Sequence, residues 1–292
     1  MTHILDGKKV AQRLKDELKI EIKNIKERFG RSPGLAVIQV GNVAASSVYV
    51  RAKTKAAKEI GISVFDYNLE NNCSQKELID LINDLNNNDS VDGVLVQLPL
   101  PKSLNEKEVL DSINPEKDAD GFHPINVGKL SISQINDQNL LIPCTPYGCL
   151  LLLRELNKSL VGKNAVVIGR SNIVGKPMAQ LLLKESCTVT IVHSKTVDIQ
   201  NICKNADILV AAIGKPEIVD NNWVKDGAIV IDVGINRIQI NEEKSKLVGD
   251  VLFKEVENRA FAITPVPGGV GPMTIACLLR NTTISCKKRL VN

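Results

Sequence analysis

The chain has 292 residues, 43% of them hydrophobic and 24% charged, the balance of an ordinary globular protein with core enough for about two domains. Aromatic residues are only 3%, so the core is built from Ile, Leu, Val and Ala, which suits α/β layering and excludes stacking platforms for single-stranded nucleic acid. The net charge of +4 is too mild and too dispersed for a nucleic-acid binder, though it is compatible with a small anionic ligand.

The pattern alternates helix and strand. Residues 7–29 carry Val10, Leu14, Leu18, Ile22, Ile25 and Phe29 at steps of three and four, which predicts a helix stopped by Gly30 and Ser32-Pro33-Gly34. Gly34 to Val40 reads as a buried strand, 46–60 as a helix closed by Gly61, 62–68 as a strand, 75–88 as an amphipathic helix and 91–98 as a second apolar strand. Pro99 to Pro146, punctuated by Pro and Gly, is too long for an idle linker and reads partly as a functional loop. A second series follows: helix 147–157, strand 164–168, helix 175–185, strand 188–192, helix 198–204, and strands 207–212 and 228–232. A last helix, 273–283, comes after a Gly- and Pro-rich turn. Strands separated by helices imply parallel βαβ units.

Seven cysteines, Cys73, Cys144, Cys149, Cys187, Cys203, Cys277 and Cys286, are odd in number, irregularly spaced and without a C-x-x-C pair. A disulfide framework or a zinc site is not expected. The first residues show no apolar signal core, and no run of about 18 apolar residues follows. A reducing, cytoplasmic setting with no membrane partner is expected.

Val166-Val167-Ile168-Gly169-Arg170-Ser171-Asn172-Ile173-Val174-Gly175 is a strand, a glycine turn and a helix start, the arrangement that brings backbone N–H groups close to a pyrophosphate. It is not a strict G-x-G-x-x-G, since Ser171 replaces the second glycine and Gly175 comes one residue late, so an ordinary tight turn remains open. An NAD site usually has an acid at the end of the second strand. Here that strand ends Val192-His193-Ser194-Lys195, with Arg170 in the first turn. Hydroxyl and cation suit a 2′-phosphate, so NADP is expected over NAD, the alternative being that both cations are merely solvated.

In the first half, Ser46, Tyr49 and Lys53 fall on one face of the predicted helix. Short-chain dehydrogenases also use Tyr-x-x-x-Lys, but after their dinucleotide fold; here it comes more than a hundred residues before, which excludes that family. A chance pair on an amphipathic helix stays open. Gln97 closes a strand at the edge where α/β sheets bind ligands. Asp118 and Asp120 share a rigid loop with no further ligands for a metal, so no metal is expected.

Together, Val40-Gly41 to Ser46, Tyr49 to Lys53, Gln97-Leu98-Pro99-Leu100-Pro101, Lys117-Asp118-Ala119-Asp120-Gly121-Phe122-His123-Pro124, Pro143-Cys144-Thr145-Pro146, Gly169 to Pro177 and Pro265 to Thr274 resemble the bifunctional methylenetetrahydrofolate dehydrogenase/methenyltetrahydrofolate cyclohydrolase (FolD) family. They span almost the whole chain in order. Ala44 stands where the family often has Pro, and Ala119 where it often has Val; neither removes a chemical group.

The resemblance implies an α/β fold of two domains with a cleft between them. These are an N-terminal α/β catalytic, folate-binding domain (1–140 plus 273–292) and a Rossmann-like NADP-binding domain (141–272). It implies NADP-dependent oxidation of 5,10-methylenetetrahydrofolate to the methenyl compound, then hydrolysis to 10-formyltetrahydrofolate, in one-carbon metabolism that feeds purine synthesis. Lys53 would move protons in the hydrolysis, as a partly desolvated lysine can because burial lowers an amine's pKa. Gln97 would hold Lys53, Tyr49 would pack on the aminobenzoyl ring, and Asp120 would accept from the pterin. Ser46, Leu98, Pro99, Pro267, Gly268 and Gly271 complete the implied substrate contacts. Gly169, Arg170, Ser171, Ile173, Ser194, Lys195 and Ile235 are the implied cofactor contacts. A homodimer is implied, and a fused formate–tetrahydrofolate ligase domain is not expected. Two rivals stay open, a monofunctional dehydrogenase of the same fold and a silent dinucleotide-binding regulator.

Overall fold

Short apolar strands alternating with amphipathic helices produce two α/β units. The computed structural model describes residues 2–41, 44–133, 137, 139–241 and 245–291; the side chains of 44–48, Ser46 among them, lie outside the description. The elements in chain order are β1 (His3–Ile4), α1 (Gly7–Phe29), β2 (Gly34–Val40), α2 (Ala44–Glu59), β3 (Ser63–Leu69), α3 (Gln75–Asn87), β4 (Gly93–Val96), α4 (Glu106–Asp111), α5 (Pro124–Ile132) and α6 (Cys144–Arg154). They continue with β5 (Asn164–Ile168), α7 (Gly175–Lys184), β6 (Thr188–Val192), α8 (Ile199–Lys204), β7 (Ile208–Ala211), β8 (Ile229–Asp232), β9 (Asn236–Gln239), β10 (Ser245–Val248), α9 (Phe253–Val256), β11 (Ala262–Ile263) and α10 (Val270–Val291).

One unit comprises Gln12–Ser133, Asp137–Cys144 and the chain from Ile275 onward. Its parallel sheet has the order β3-β2-β4. All seven residues of β2 are buried, as an apolar strand inside a parallel sheet requires. The Lys117–Ala119 segment continues the sheet beside β4, with the Val94 N–H donating to the Lys117 carbonyl at 2.7 Å and the Ala119 N–H to the Val94 carbonyl at 3.3 Å. α3 buries Leu78, Ile82 and Leu85 on one stripe, and Ser74 caps it by accepting the Glu77 N–H at 3.1 Å.

The Pro99–Pro146 stretch contains more helix than expected. Asn105 caps α4 by accepting the Glu108 N–H at 3.3 Å, and the His123 Nδ1 accepts the Ile125 N–H at 3.2 Å where Pro124 opens α5. The last helix also outruns its expected 273–283 span, because its buried Thr282 and Thr283 return their hydroxyls to the Leu278 and Leu279 carbonyls at 3.0 and 2.8 Å and so satisfy themselves inside the helix.

The other unit comprises the residues up to Ala11 and Thr145–Thr274. Its six-stranded parallel sheet has the order β1-β11-β8-β7-β5-β6, and a β9–β10 hairpin stands apart. Chain order reverses between β5 and β7, the topological switch point where doubly wound sheets bind ligands. β1 pairs with β11, His3 opposite Ala262. Residues up to Ala11 therefore group with this unit instead of with the expected 1–140 run. The core packs Val166, Ile168, Leu209 and Val230 from the strands against Trp223, Val224 and Val256. Among the described residues no helix is long and apolar enough to cross a membrane.

Candidate active site

In the Gln12–Ser133 unit, α2 turns a stripe of Val50, Lys53 and Ala57 toward the interior. Lys53 is only 5% exposed, an unusual place for an amine unless it is bonded. Its Nζ donates to Gln97 Oε1 at 3.1 Å. The amide cannot turn away, because Gln97 Nε2 donates to the Leu98 carbonyl at 2.6 Å and the Gln97 N–H to the Ile38 carbonyl at 2.9 Å. Tyr49, one turn before Lys53, places its ring centroid 5.6 Å from Nζ, within cation–π range.

Asp120 follows the Lys117–Ala119 segment, as Gln97 follows β4, so both leave the same C-terminal edge of the sheet. Burial pushes the half-buried Asp120 carboxyl up to about 6, against the pull of the nearby Lys53 and with a further push from Asp118. Asp118 faces away into the loop. It accepts from the Gly121 N–H at 3.0 Å, the His123 N–H at 2.8 Å and Asn126 Nδ2 at 2.9 Å, and burial raises its pKa. Leu98 is half-buried and Pro99 exposed.

In the second unit the turn after β5 is a cradle. Gly169 has φ +126°, and a Cβ there would collide with the Ala212 carbonyl after β7. Ser171 is exposed, and its Oγ accepts the Val174 and Gly175 N–H groups at 3.1 and 3.3 Å at the start of α7, which leaves its hydroxyl hydrogen to donate. Arg170, Ser194 and Lys195 are exposed, with no acid at the end of β6. Ile173 and Ile235 leave apolar surface open, at 37% and 50% exposure. A close-approach glycine, a helix start and exposed cations fit an anionic dinucleotide. In the loop before α10, the Gly268 carbonyl accepts the Lys8 N–H at 3.2 Å and Pro267 is exposed; Gly271, in the first turn of α10, is half-buried.

Several residues that shape these sites escaped the sequence reading. Lys117, 2% exposed, donates through Nζ to the Leu85 and Asn88 carbonyls at 3.0 and 2.8 Å, capping the C-terminus of α3 and anchoring the Asp120 loop. Asn281 of α10 donates to the Ala119 and Ile142 carbonyls at 3.0 and 2.8 Å. Asp232 and Asp250 are buried beside the switch point, and burial pushes Asp232 up to about 7 against three backbone N–H bonds. The one local signal was the glycine spacing of Asp232-Val233-Gly234 and Gly249-Asp250. All seven cysteines are buried and none is in a disulfide, and among the described residues no group of three His, Cys, Asp or Glu could hold a metal.

A buried, bonded lysine on one α/β unit and a dinucleotide cradle on the other define a nucleotide-dependent enzyme with a separate polar site. Residues 5–120 match the catalytic domain of the tetrahydrofolate dehydrogenase/cyclohydrolase family and residues 143–290 its NAD(P)-binding domain. The chain belongs to that family. It is 52% identical to the bifunctional protein FolD of Rhodospirillum rubrum, over 98% of each chain. The crystal structure of the FolD dehydrogenase/cyclohydrolase from Campylobacter jejuni superposes with a TM-score of 0.93 at 48% identity, covering 99% of this chain and 100% of that one. The Trypanosoma brucei dehydrogenase-cyclohydrolase, complexed with NADP and an inhibitor, does so with a TM-score of 0.93 at 41% identity, covering 98% of each.

Proposed function

We propose that this chain oxidises 5,10-methylenetetrahydrofolate to the 5,10-methenyl cation with NADP, and then hydrolyses the cation to 10-formyltetrahydrofolate. The observation that carries the reading is Lys53, buried on an apolar helix stripe and held by Gln97 at 3.1 Å. In the hydrolysis, water adds to a carbon flanked by two nitrogens. Both protons leave the water oxygen as it becomes the formyl carbonyl: one must reach the nitrogen whose bond to that carbon breaks, and the other is released to solvent. Lys53 Nζ takes a proton from that oxygen and delivers one to the nitrogen, while Gln97 aims it. Asp120, ionised above about pH 6, accepts from the pterin amino and ring N–H groups, and the Tyr49 ring packs on the aminobenzoyl group. Leu98 and Pro99, beside Gln97, border the same site.

The oxidation needs no base, since the two nitrogens stabilise the cation. NADP, when bound, supplies the hydride acceptor. The second unit binds and orients: Gly169 admits the pyrophosphate, and Arg170, Ser194 and Lys195 meet the 2′-phosphate. Ile173 and Ile235 offer apolar faces to a planar ring. Ser171 serves by shaping the turn.

The reading extends to a homodimer in the cytoplasm. Support for the first is β3, seven residues long and at the end of the strand order among the described residues, which leaves one backbone edge for pairing. Support for the second is a set of seven cysteines held as thiols, none of them in a disulfide. The test is an absorbance assay for methenyl formation and decay, run with NADP and then NAD. Formation with NADP followed by enzyme-accelerated decay is expected. Formation without accelerated decay would reduce the protein to a dehydrogenase.

A further inference from the structure

Beside the glycine turn of the second unit lie two buried carboxylates to which the reaction assigns nothing. We propose that Asp232 and Asp250 are positioning residues for hydride transfer, a brace that fixes the loops following β7 and β8 against the cofactor cradle. The proposal rests on the dehydrogenase reading above.

Asp250 gathers the β7 loop. Its Oδ2 accepts the Ile213 and Gly214 N–H groups at 2.6 and 2.9 Å, and its Oδ1 accepts the Lys215 N–H at 3.0 Å and Asn236 Nδ2 at 2.9 Å. Ala212, the first residue of that loop, presents the carbonyl against which Gly169 packs. The carboxylate thus sets one wall of the cradle. Asp232, the last residue of β8, seats Asp250 in turn. It accepts the Asp250 and Val251 N–H groups at 2.9 and 3.0 Å and the Gly234 N–H of its own loop at 3.0 Å. The arrangement is reciprocal: Gly234 lies against the Asp250 carboxylate and Gly249 against the Asp232 carboxylate, and a Cβ at either would collide with the acid. Exposed Ile235 is carried between Gly234 and Asn236, both fixed by the brace.

Asp232 is 3% exposed and Asp250 0%, and the donors named are neutral N–H groups. Burying two neighbouring acids in this way opposes stability, and apolar packing would serve stability better. A carboxylate, however, accepts three or four N–H groups at once, which no neutral side chain of its size does. Hydride transfer depends on wall positions held to fractions of an ångström.

The experiment compares Asp250→Asn and Asn236→Ala with wild type in the full chain. It measures NADP affinity, the hydride-transfer rate at saturating NADP, methenyl hydrolysis and the thermal midpoint. Asp250→Asn is expected to lower the hydride-transfer rate by about tenfold or more, a larger change than in NADP affinity, and to leave methenyl hydrolysis within about twofold. Asn236→Ala, which removes one donor and keeps both acids, is expected to lower the rate by about threefold. An unchanged hydride-transfer rate overturns the proposal. So does a parallel fall of both activities with the thermal midpoint, the mark of a purely structural role. If Asp250→Asn does not fold, Asn236→Ala decides by the same ratio of activities. A wild-type protein with no NADP-dependent oxidation removes the dehydrogenase reading itself, a result distinct from any variant's.

Discussion

Lys53 and Gln97 are joined Nζ to Oε1 across 3.1 Å, and the second bond of Gln97, to its neighbour's carbonyl at 2.6 Å, leaves that oxygen one direction to face. A pair locked this way acts as a unit. Lys53→Met keeps the apolar stem but cannot carry a proton, and is expected to cut cyclohydrolase activity by more than about a hundredfold. Dehydrogenase activity survives, and methenyltetrahydrofolate accumulates by its absorbance. Gln97→Leu is expected to lower hydrolysis as well, and the double variant to be no worse than Lys53→Met alone. Additive losses would show that the two residues act separately.

The Asp120 carboxyl, pushed up to about 6 by burial, is expected to give substrate binding a pH dependence. If, as proposed, the ionised form accepts from the pterin, binding is full above that value and weakens as protonation sets in below it. KM for folate is expected to rise in both activities, approaching about tenfold per pH unit below the break. Asp120→Asn should raise KM throughout and abolish the break. A break that persists in the variant would belong to another group.

Asp118 tests the division of labour within the same loop. Its oxygens satisfy three buried donors, and Asp118→Asn replaces one oxygen by a competing donor. Leaving a buried N–H unpaired costs about 1–3 kcal/mol. The urea midpoint should therefore drop in Asp118→Asn and move less in Asp120→Asn, whereas the kinetic loss at native conditions should rank the other way. A more damaging kinetic effect at Asp118 would reassign the pterin anchor.

The proposed cofactor choice rests on the exposed cations beside the β6 end. Arg170→Ala should weaken NADP by about 1.5–3 kcal/mol, the worth of a charge-assisted contact, and leave NAD almost unchanged. Specificity constants measured for both cofactors check this. Equal losses would mean that Arg170 does not meet the 2′-phosphate.

What the sequence determined by itself was local or repeated along the chain. The periodicity of α1, the apolar runs of β2 and β5, and the glycine turn at Gly169 carry their own signals within a few residues, and the ordered motifs identified the family. The short helices α4 and α5 were legible too, through Asn105 three residues before Glu108 and Pro124 at a helix start, but lay inside a stretch read as loop. Only the tertiary structure decided the rest, because the partners are far apart in the chain. β1 is two residues long and exists through its bonds to the segment around Ala262. Lys53 is buried and aimed because Gln97, 44 residues later, meets it at a sheet edge. Asp232 and Asp250 are ordinary acids in sequence; folding closes two loops onto them and turns them into acceptors for backbone N–H groups that have left water.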